Sequence, residues 1–130
     1  MTATRQDVVT VAAIQVAPTF FDRKSAVEKV CRLTEEAAEK GAELVVFPEA
    51  YVGGYPWGLA FGTGVGGRSE SGRRVWQRYW DTAVEVPGAD TERLGEVASD
   101  VGVYLSVGVV ERDSTFGGGT LFCTLLYFGP

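Results

Sequence analysis

No histidine occurs anywhere in the 130 residues of this chain. That absence excludes a self-contained Ser-His or Cys-His nucleophile pair and any histidine-based metal site within it. Chemistry here must run on carboxylates, lysines, cysteines or tyrosines, or on groups supplied elsewhere. Cysteine is scarce too. Cys31 and Cys123 form no spaced framework and fit a reducing compartment. Positive charge is in deficit, with a net charge of -5, so neither nucleic acid nor an anionic membrane is an expected partner. No apolar run approaches the roughly 18 residues of a membrane-spanning helix. The stretch from Met1 to Asp7 lacks the apolar core of a secretion signal and carries an acid early, which points to the cytoplasm.

What is present reads as one globular α/β unit. The hydrophobic share of 45% and aromatic share of 12% supply a core of ordinary size for a single domain. Val8 to Gln15 has the residue types of a buried strand, closed by Pro18. Ser25 and Glu28 stand at capping-box spacing, and Val27, Val30, Cys31, Thr34 and Ala38 recur at helical intervals. A helix over 25–40, ended by Gly41, is therefore predicted, and Glu43 to Phe47 follows it as a second strand. Strand, helix, strand at this spacing predicts two parallel strands with a right-handed crossover. Val52 to Gly72 is rich in glycine and aromatics and has no convincing period. Beyond it, 72–83 reads as a helix with Val75, Trp76, Tyr79 and Trp80 on one apolar side. A shorter helix over 92–100 places Leu94, Val97, Ala98 and Val101 on one stripe, with Gly102 as its stop. Strands over 103–110 and 120–128 are joined by a glycine-rich turn. Four strands and about three helices make part of a layered architecture, and both sheet faces need cover. More protein is expected after Pro130, and a sheet edge and apolar faces are expected to be left open without it.

Leu44-Val45-Val46-Phe47-Pro48-Glu49-Ala50-Tyr51 is the segment with chemical content. Leu44 to Phe47 forms an apolar strand, and Pro48 cannot extend its hydrogen-bonded ladder. Glu49 then stands at the carboxyl end of the strand, where open α/β sheets handle ligands. A carboxylate there can serve as a proton acceptor. On the local pattern alone, a strand-end glutamate that pairs with a neighbour or faces water is the favoured reading. Other candidates are weaker. Gly62-Thr63-Gly64-Val65-Gly66-Gly67 resembles a phosphate loop, but it does not come straight off a strand and lacks the Gly-Lys-Ser/Thr ending, so it reads as a loop. Cys31, on a helical apolar stripe, and Cys123, inside an apolar strand, read as small packed hydrophobes. Arg68, Arg73 and Arg74 read as solvated charge, or as a carboxylate clamp.

Together these segments resemble the N-terminal part of a nitrilase, within the nitrilase/carbon–nitrogen hydrolase superfamily. The matching stretches are Val11 to Val16, Ala42 to Glu49 and Gly53-Gly54-Tyr55-Pro56-Trp57-Gly58. They continue through Gly72-Arg73, Val86-Pro87-Gly88, Val103-Tyr104-Leu105, Gly108-Val109-Val110-Glu111 and Thr120-Leu121-Phe122-Cys123-Thr124. The Gly-Gly-Tyr-Pro segment and the loop after it favour the nitrilase branch over the aliphatic amidases. The resemblance implies a four-layer α-β-β-α sandwich, here partial, and a homo-oligomer if complete. It implies hydrolysis of a small-molecule nitrile to a carboxylic acid and ammonia, with no cofactor and no metal. Family members use a glutamate, a lysine and a cysteine. The cysteine attacks the nitrile carbon to form a thioimidate, the glutamate accepts the thiol proton and later activates water, and the lysine stabilises the tetrahedral intermediates. The resemblance maps the glutamate onto Glu49, in a partly buried site. Tyr55 and Trp57, close to it in sequence, are expected at the entrance of the substrate pocket.

Where the chain departs from the family matters as much. Lys24, Lys29 and Lys40 match no catalytic lysine, and Cys123 corresponds to a strand position rather than to the nucleophile. The family's lysine and cysteine segments normally lie downstream of the position of Pro130. By itself the chain is expected to be inactive. A non-catalytic α/β protein kept for binding or assembly, and a small nucleotide-binding domain, are the rival readings.

Overall fold

A computed structural model describes residues 8–56, 58–59, 63–64, 67–115 and 118–130. The central element is a four-stranded sheet. Its strands are β1 (Val11–Ala13), β2 (Leu44–Val46), β5 (Tyr104–Arg112) and β6 (Leu121–Phe128), side by side in the order β1-β2-β5-β6. β1 and β5 both run parallel to β2, while β6 is antiparallel to β5. A separate ribbon pairs β3 (Thr63–Gly64) with β4 (Gly67–Arg68), within the segment read from sequence as a loop. The helices are α1 (Arg23–Glu39), α2 (Glu70–Asp81) and α3 (Ala89–Val101).

The first strand is shorter than the sequence predicts. Among the described residues β1 pairs only with β2, and β2 itself stops before Pro48, which has no N–H to give. The ladder therefore closes with the Ile14 N–H on the Val46 carbonyl at 2.9 Å. The start of α1 is also earlier than the Ser25–Glu28 spacing suggests. Asp22 is the N-cap: its carboxylate accepts from the Ser25 N–H at 3.0 Å and from the Ser25 hydroxyl at 2.7 Å. An ionised cap is a stronger acceptor than a hydroxyl, so Ser25 becomes a donor inside the first turn.

These two bonds, the backbone one foremost, hold the Asp22 carboxyl below its ordinary 3.8. A carboxyl with a depressed folded pKa stabilises above its unfolded value, and the stabilisation disappears as pH falls through the folded value. Helicity at the start of α1 is accordingly expected to weaken on acidification below about pH 4. Asp22→Asn should keep a cap and remove that acid dependence, read by circular dichroism along a pH titration.

α1 and α3 cover one face of the sheet. Ala26, Val27, Val30 and Cys31 of α1, with Leu94, Val97 and Ala98 of α3, pack on Val45, Leu105, Val107 and Val109. The stripe on α3 is the one the sequence predicts, with Val101 packed at its margin. Gly102 ends that helix in the left-handed region at φ 69°. A Cβ there would meet nothing within 4 Å, so the cost of Gly102→Ala is purely that of the backbone conformation. A loss of about 1–2 kcal/mol in denaturant unfolding is expected.

α2 is less embedded than its spacing suggests. Tyr79 is buried, but Trp76 stays 37% exposed and Val75 and Trp80 are half-buried. Its buried Tyr79 packs with Ala50, Ala83 and Val110. The sheet face opposite α1 and α3 presents apolar side chains. Leu126 and Phe128 of β6 turn inward, whereas the alternate residues Leu125 and Tyr127 are 50% and 73% exposed. The described residues thus form a mixed α/β arrangement with two helices layered on one sheet face.

Candidate functional site

The site begins where β2 leaves its neighbour. The Phe47 N–H donates to the Ser106 carbonyl at 2.8 Å, and the Val52 N–H donates to the Gly108 carbonyl at 3.1 Å. The chain therefore runs from Phe47 to Val52 while β5 advances only from Ser106 to Gly108. The surplus residues, Pro48 to Tyr51, must leave the sheet as a tight turn over β5. Ala50 takes up part of that curvature at φ 47°, a left-handed conformation that residues with a Cβ adopt at a cost. The Gly54 N–H closes the turn on the Ala50 carbonyl at 2.8 Å.

This turn needs an absent side chain beneath it. A Cβ built on Gly108 would lie 2.5 Å from both the Ala50 nitrogen and the Pro48 oxygen, and 2.7 Å from the Glu49 Cα. Glycine at 108 is thus what lets the Glu49 backbone rest on β5. On the other side, the buried Tyr79 hydroxyl donates to the Gly54 carbonyl at 2.8 Å and ties the following segment to α2.

Three side chains meet here. The Cys123 Sγ lies 3.0 Å from Glu49 Oε1. The Tyr55 hydroxyl is 3.2 Å from the same oxygen and 3.2 Å from Sγ. Cys123 is therefore not the packed hydrophobe expected from its strand. Its partner across the ladder is Val110, and that register turns the thiol to the open face of the sheet, where it is exposed. Cys31, by contrast, is buried as expected, and burial pushes its thiol up.

At Cys123 the Tyr55 hydroxyl bond favours the thiolate, but the bond to Glu49, partial burial and the Glu49 charge outweigh it and push the thiol up. The bond to Cys123 first, then burial and the bond to Glu49, push the Tyr55 phenol well above its ordinary value. Both groups hold their protons at neutral pH and act as donors.

Glu49 itself is exposed rather than partly buried. Together with Ser106, Gly108, Cys123, Leu125 and Tyr127 it borders a shallow, mainly apolar hollow of about 620 Å³. Trp57 lies outside the described residues, as do Gly62, Val65 and Gly66 of the glycine-rich loop and the side chain of Arg68. Arg73 is exposed, and Arg74 pairs with Glu70 one helical turn away, which fits surface charge. Lys24 and Lys29 sit on α1 and Lys40 caps it, with the Lys29 Nζ on the Ala17 carbonyl at 2.7 Å. That helix covers the other face of the sheet. Among the described residues no cluster of cysteine and carboxylate side chains is arranged to hold a metal, and no helix is long and apolar enough to cross a membrane.

The family model described as carbon–nitrogen hydrolase matches residues 10–130. An aliphatic nitrilase from Sinorhizobium fredii (strain HH103) is 46% identical over 119 residues, which are 92% of this chain and 37% of that protein. Nitrilase 2 of Arabidopsis thaliana is 44% identical over 95% of this chain and 35% of its own length. A bifunctional nitrilase/nitrile hydratase from Lupinus angustifolius is 43% identical over 93% of this chain and 34% of its own. The chain thus spans about a third of the length of these relatives. Among solved structures, an amidase from Nesterenkonia sp. superposes with a TM-score of 0.63 at 19% identity, covering 97% of this chain and 40% of that one. That likeness shows a shared fold.

Proposed function

This chain belongs to the carbon–nitrogen hydrolase family, and from that premise we propose that it supplies the proton-accepting glutamate, Glu49, of a nitrile hydrolase. The reaction converts a nitrile and two waters to a carboxylic acid and ammonia. A cysteine thiol adds to the nitrile carbon and its proton passes to Glu49. Glu49 hands that proton to the nitrile nitrogen, giving a thioimidate. It then deprotonates a first water, whose attack releases ammonia and leaves a thioester. It also deprotonates a second water, whose attack releases the carboxylic acid and the thiol, while a lysine stabilises the tetrahedral intermediates. Neither cysteine here matches the family's nucleophile and none of the three lysines on or capping α1 matches its lysine, so both groups come from outside these 130 residues. Tyr55 and Trp57 contact the nitrile's substituent in this reading. A cytoplasmic setting and a homo-oligomeric assembly complete it.

One observation carries the proposal. Glu49 stands at the carboxyl end of a parallel strand, on a turn held down against Gly108, with two protic groups on a single carboxylate oxygen. A surface glutamate serving only solubility has no use for such a seat. The nitrilase names of the relatives set the substrate class. The test is ammonia release from nitriles by the protein that carries this chain, with and without a substitution at Glu49. Release that survives loss of the carboxylate would refute the role given to it.

A further inference from the structure

Glu49 is exposed, and a glutamate side chain has three rotatable bonds. Proton transfer to a nucleophile tolerates little misplacement, so a base on an open turn needs something to hold its head. The three contacts described above close a ring: Tyr55 hydroxyl to Oε1 at 3.2 Å, Tyr55 hydroxyl to Sγ at 3.2 Å, and Sγ to Oε1 at 3.0 Å. Its members come from three separate segments. Glu49 lies on the turn after β2, Tyr55 on the stretch that Tyr79 anchors to α2, and Cys123 on β6.

Hydrogen-bonding capacity fits a ring rather than three accidental contacts. The carboxylate only accepts, the thiol gives one proton and can accept, and the phenol gives one. With the thiol proton on Oε1, the phenol proton is shared between Oε1 and Sγ. Among the described residues no hydrogen bond reaches Oε2, which leaves that oxygen for the transferred proton.

We propose that Tyr55 and Cys123 are positioning residues that lock the Glu49 carboxylate by its Oε1 and present Oε2 to the nucleophile. This rests on the hydrolase reading above and gives Cys123, a strand residue apart from the reaction's own thiol, a part in it. It also separates two duties of Tyr55: the ring can border the substrate, while the hydroxyl serves the base.

Two measurements test it, one of which needs no catalysis. The first is the pH dependence of Cys123 alkylation by iodoacetamide, read by mass on its own peptide, with buried Cys31 as internal reference. In that reaction a sulfur–carbon bond forms, iodide leaves and the thiol proton goes to solvent. Glu49→Gln should lower the midpoint of the titration, because a carboxylate opposes ionisation of the thiol. Tyr55→Phe should raise it, because the hydroxyl supports the thiolate. The second measurement is steady-state kinetics on a nitrile. Tyr55→Phe and Cys123→Ala should each lower kcat about ten- to a hundredfold with KM unchanged. Cys123→Ser, which restores a donor, should recover most of the loss.

A titration midpoint that moves in neither variant overturns the ring. So does a Tyr55→Phe effect confined to KM, or a failure of serine to rescue. A responsive thiol in a protein that releases no ammonia upholds the ring and instead counts against the hydrolase reading.

Discussion

Glu49→Gln in the protein that carries this chain is expected to lower kcat for nitrile hydrolysis by about 10²–10⁴. The substitution is nearly isosteric and leaves a carbonyl oxygen where Oε1 stands, so the Tyr55 and Cys123 donors keep an acceptor. What it removes is the ability to take a proton. Both chemical steps assigned to Glu49 need that ability, first from the attacking thiol and then from water, so kcat and kcat/KM should fall together. Because Glu49 is exposed, folding stability should change by no more than about 0.5 kcal/mol. Glu49→Asp separates charge from reach. It keeps a carboxylate but draws it back by one methylene from Tyr55 and Cys123, and should restore only a minor part of the rate. Full activity in Glu49→Gln would remove this residue from the reaction.

Gly108→Ala is expected to damage activity more than stability. The added Cβ would meet the Ala50 nitrogen and Pro48 oxygen at 2.5 Å and the Glu49 Cα at 2.7 Å. All three are backbone atoms, so no side chain can swing aside to make room. The turn must lift from β5, straining the Val52 N–H bond to the Gly108 carbonyl and the already left-handed Ala50. Overpacking of this kind costs about 1–3 kcal/mol. Each ångström by which Glu49 moves can cost about 10²-fold in rate. Gly95→Ala is the matched control. Its Cβ would stand an ordinary 3.4 Å from the Phe128 ring, and alanine inside α3 should gain about 0.5–1 kcal/mol. A Gly108→Ala protein as stable and active as the Gly95→Ala one would contradict the seat described for Glu49.

The elements most legible in the sequence are those whose signal is local and periodic. α3 with its Leu94, Val97, Ala98 stripe and Gly102 stop, the parallel pairing of β1 with β2, and the stop at Pro48 all follow from spacing and backbone chemistry. The start of α1 was less legible because two capping patterns overlap, and the carboxylate of Asp22 wins over the hydroxyl of Ser25. The environment of Cys123 was not legible at all. Whether a strand residue faces the helices or the open side depends on the β5–β6 register, and a slip of one residue would reverse it. That register pairs Cys123 with Val110, a relation between distant segments. One signal did exist for the seat of Glu49. A glycine inside the apolar strand Val103 to Val110 marks a place where another backbone comes close, and at Gly108 that backbone is Pro48–Ala50.

The most direct test of the account is the balance sheet of a single nitrile incubated with the protein that carries this chain, and with its Glu49→Gln variant. The unsubstituted protein is expected to convert nitrile to carboxylic acid and ammonia in equal amounts, and the variant to leave the nitrile almost untouched. Equal conversion by the two proteins would contradict the account.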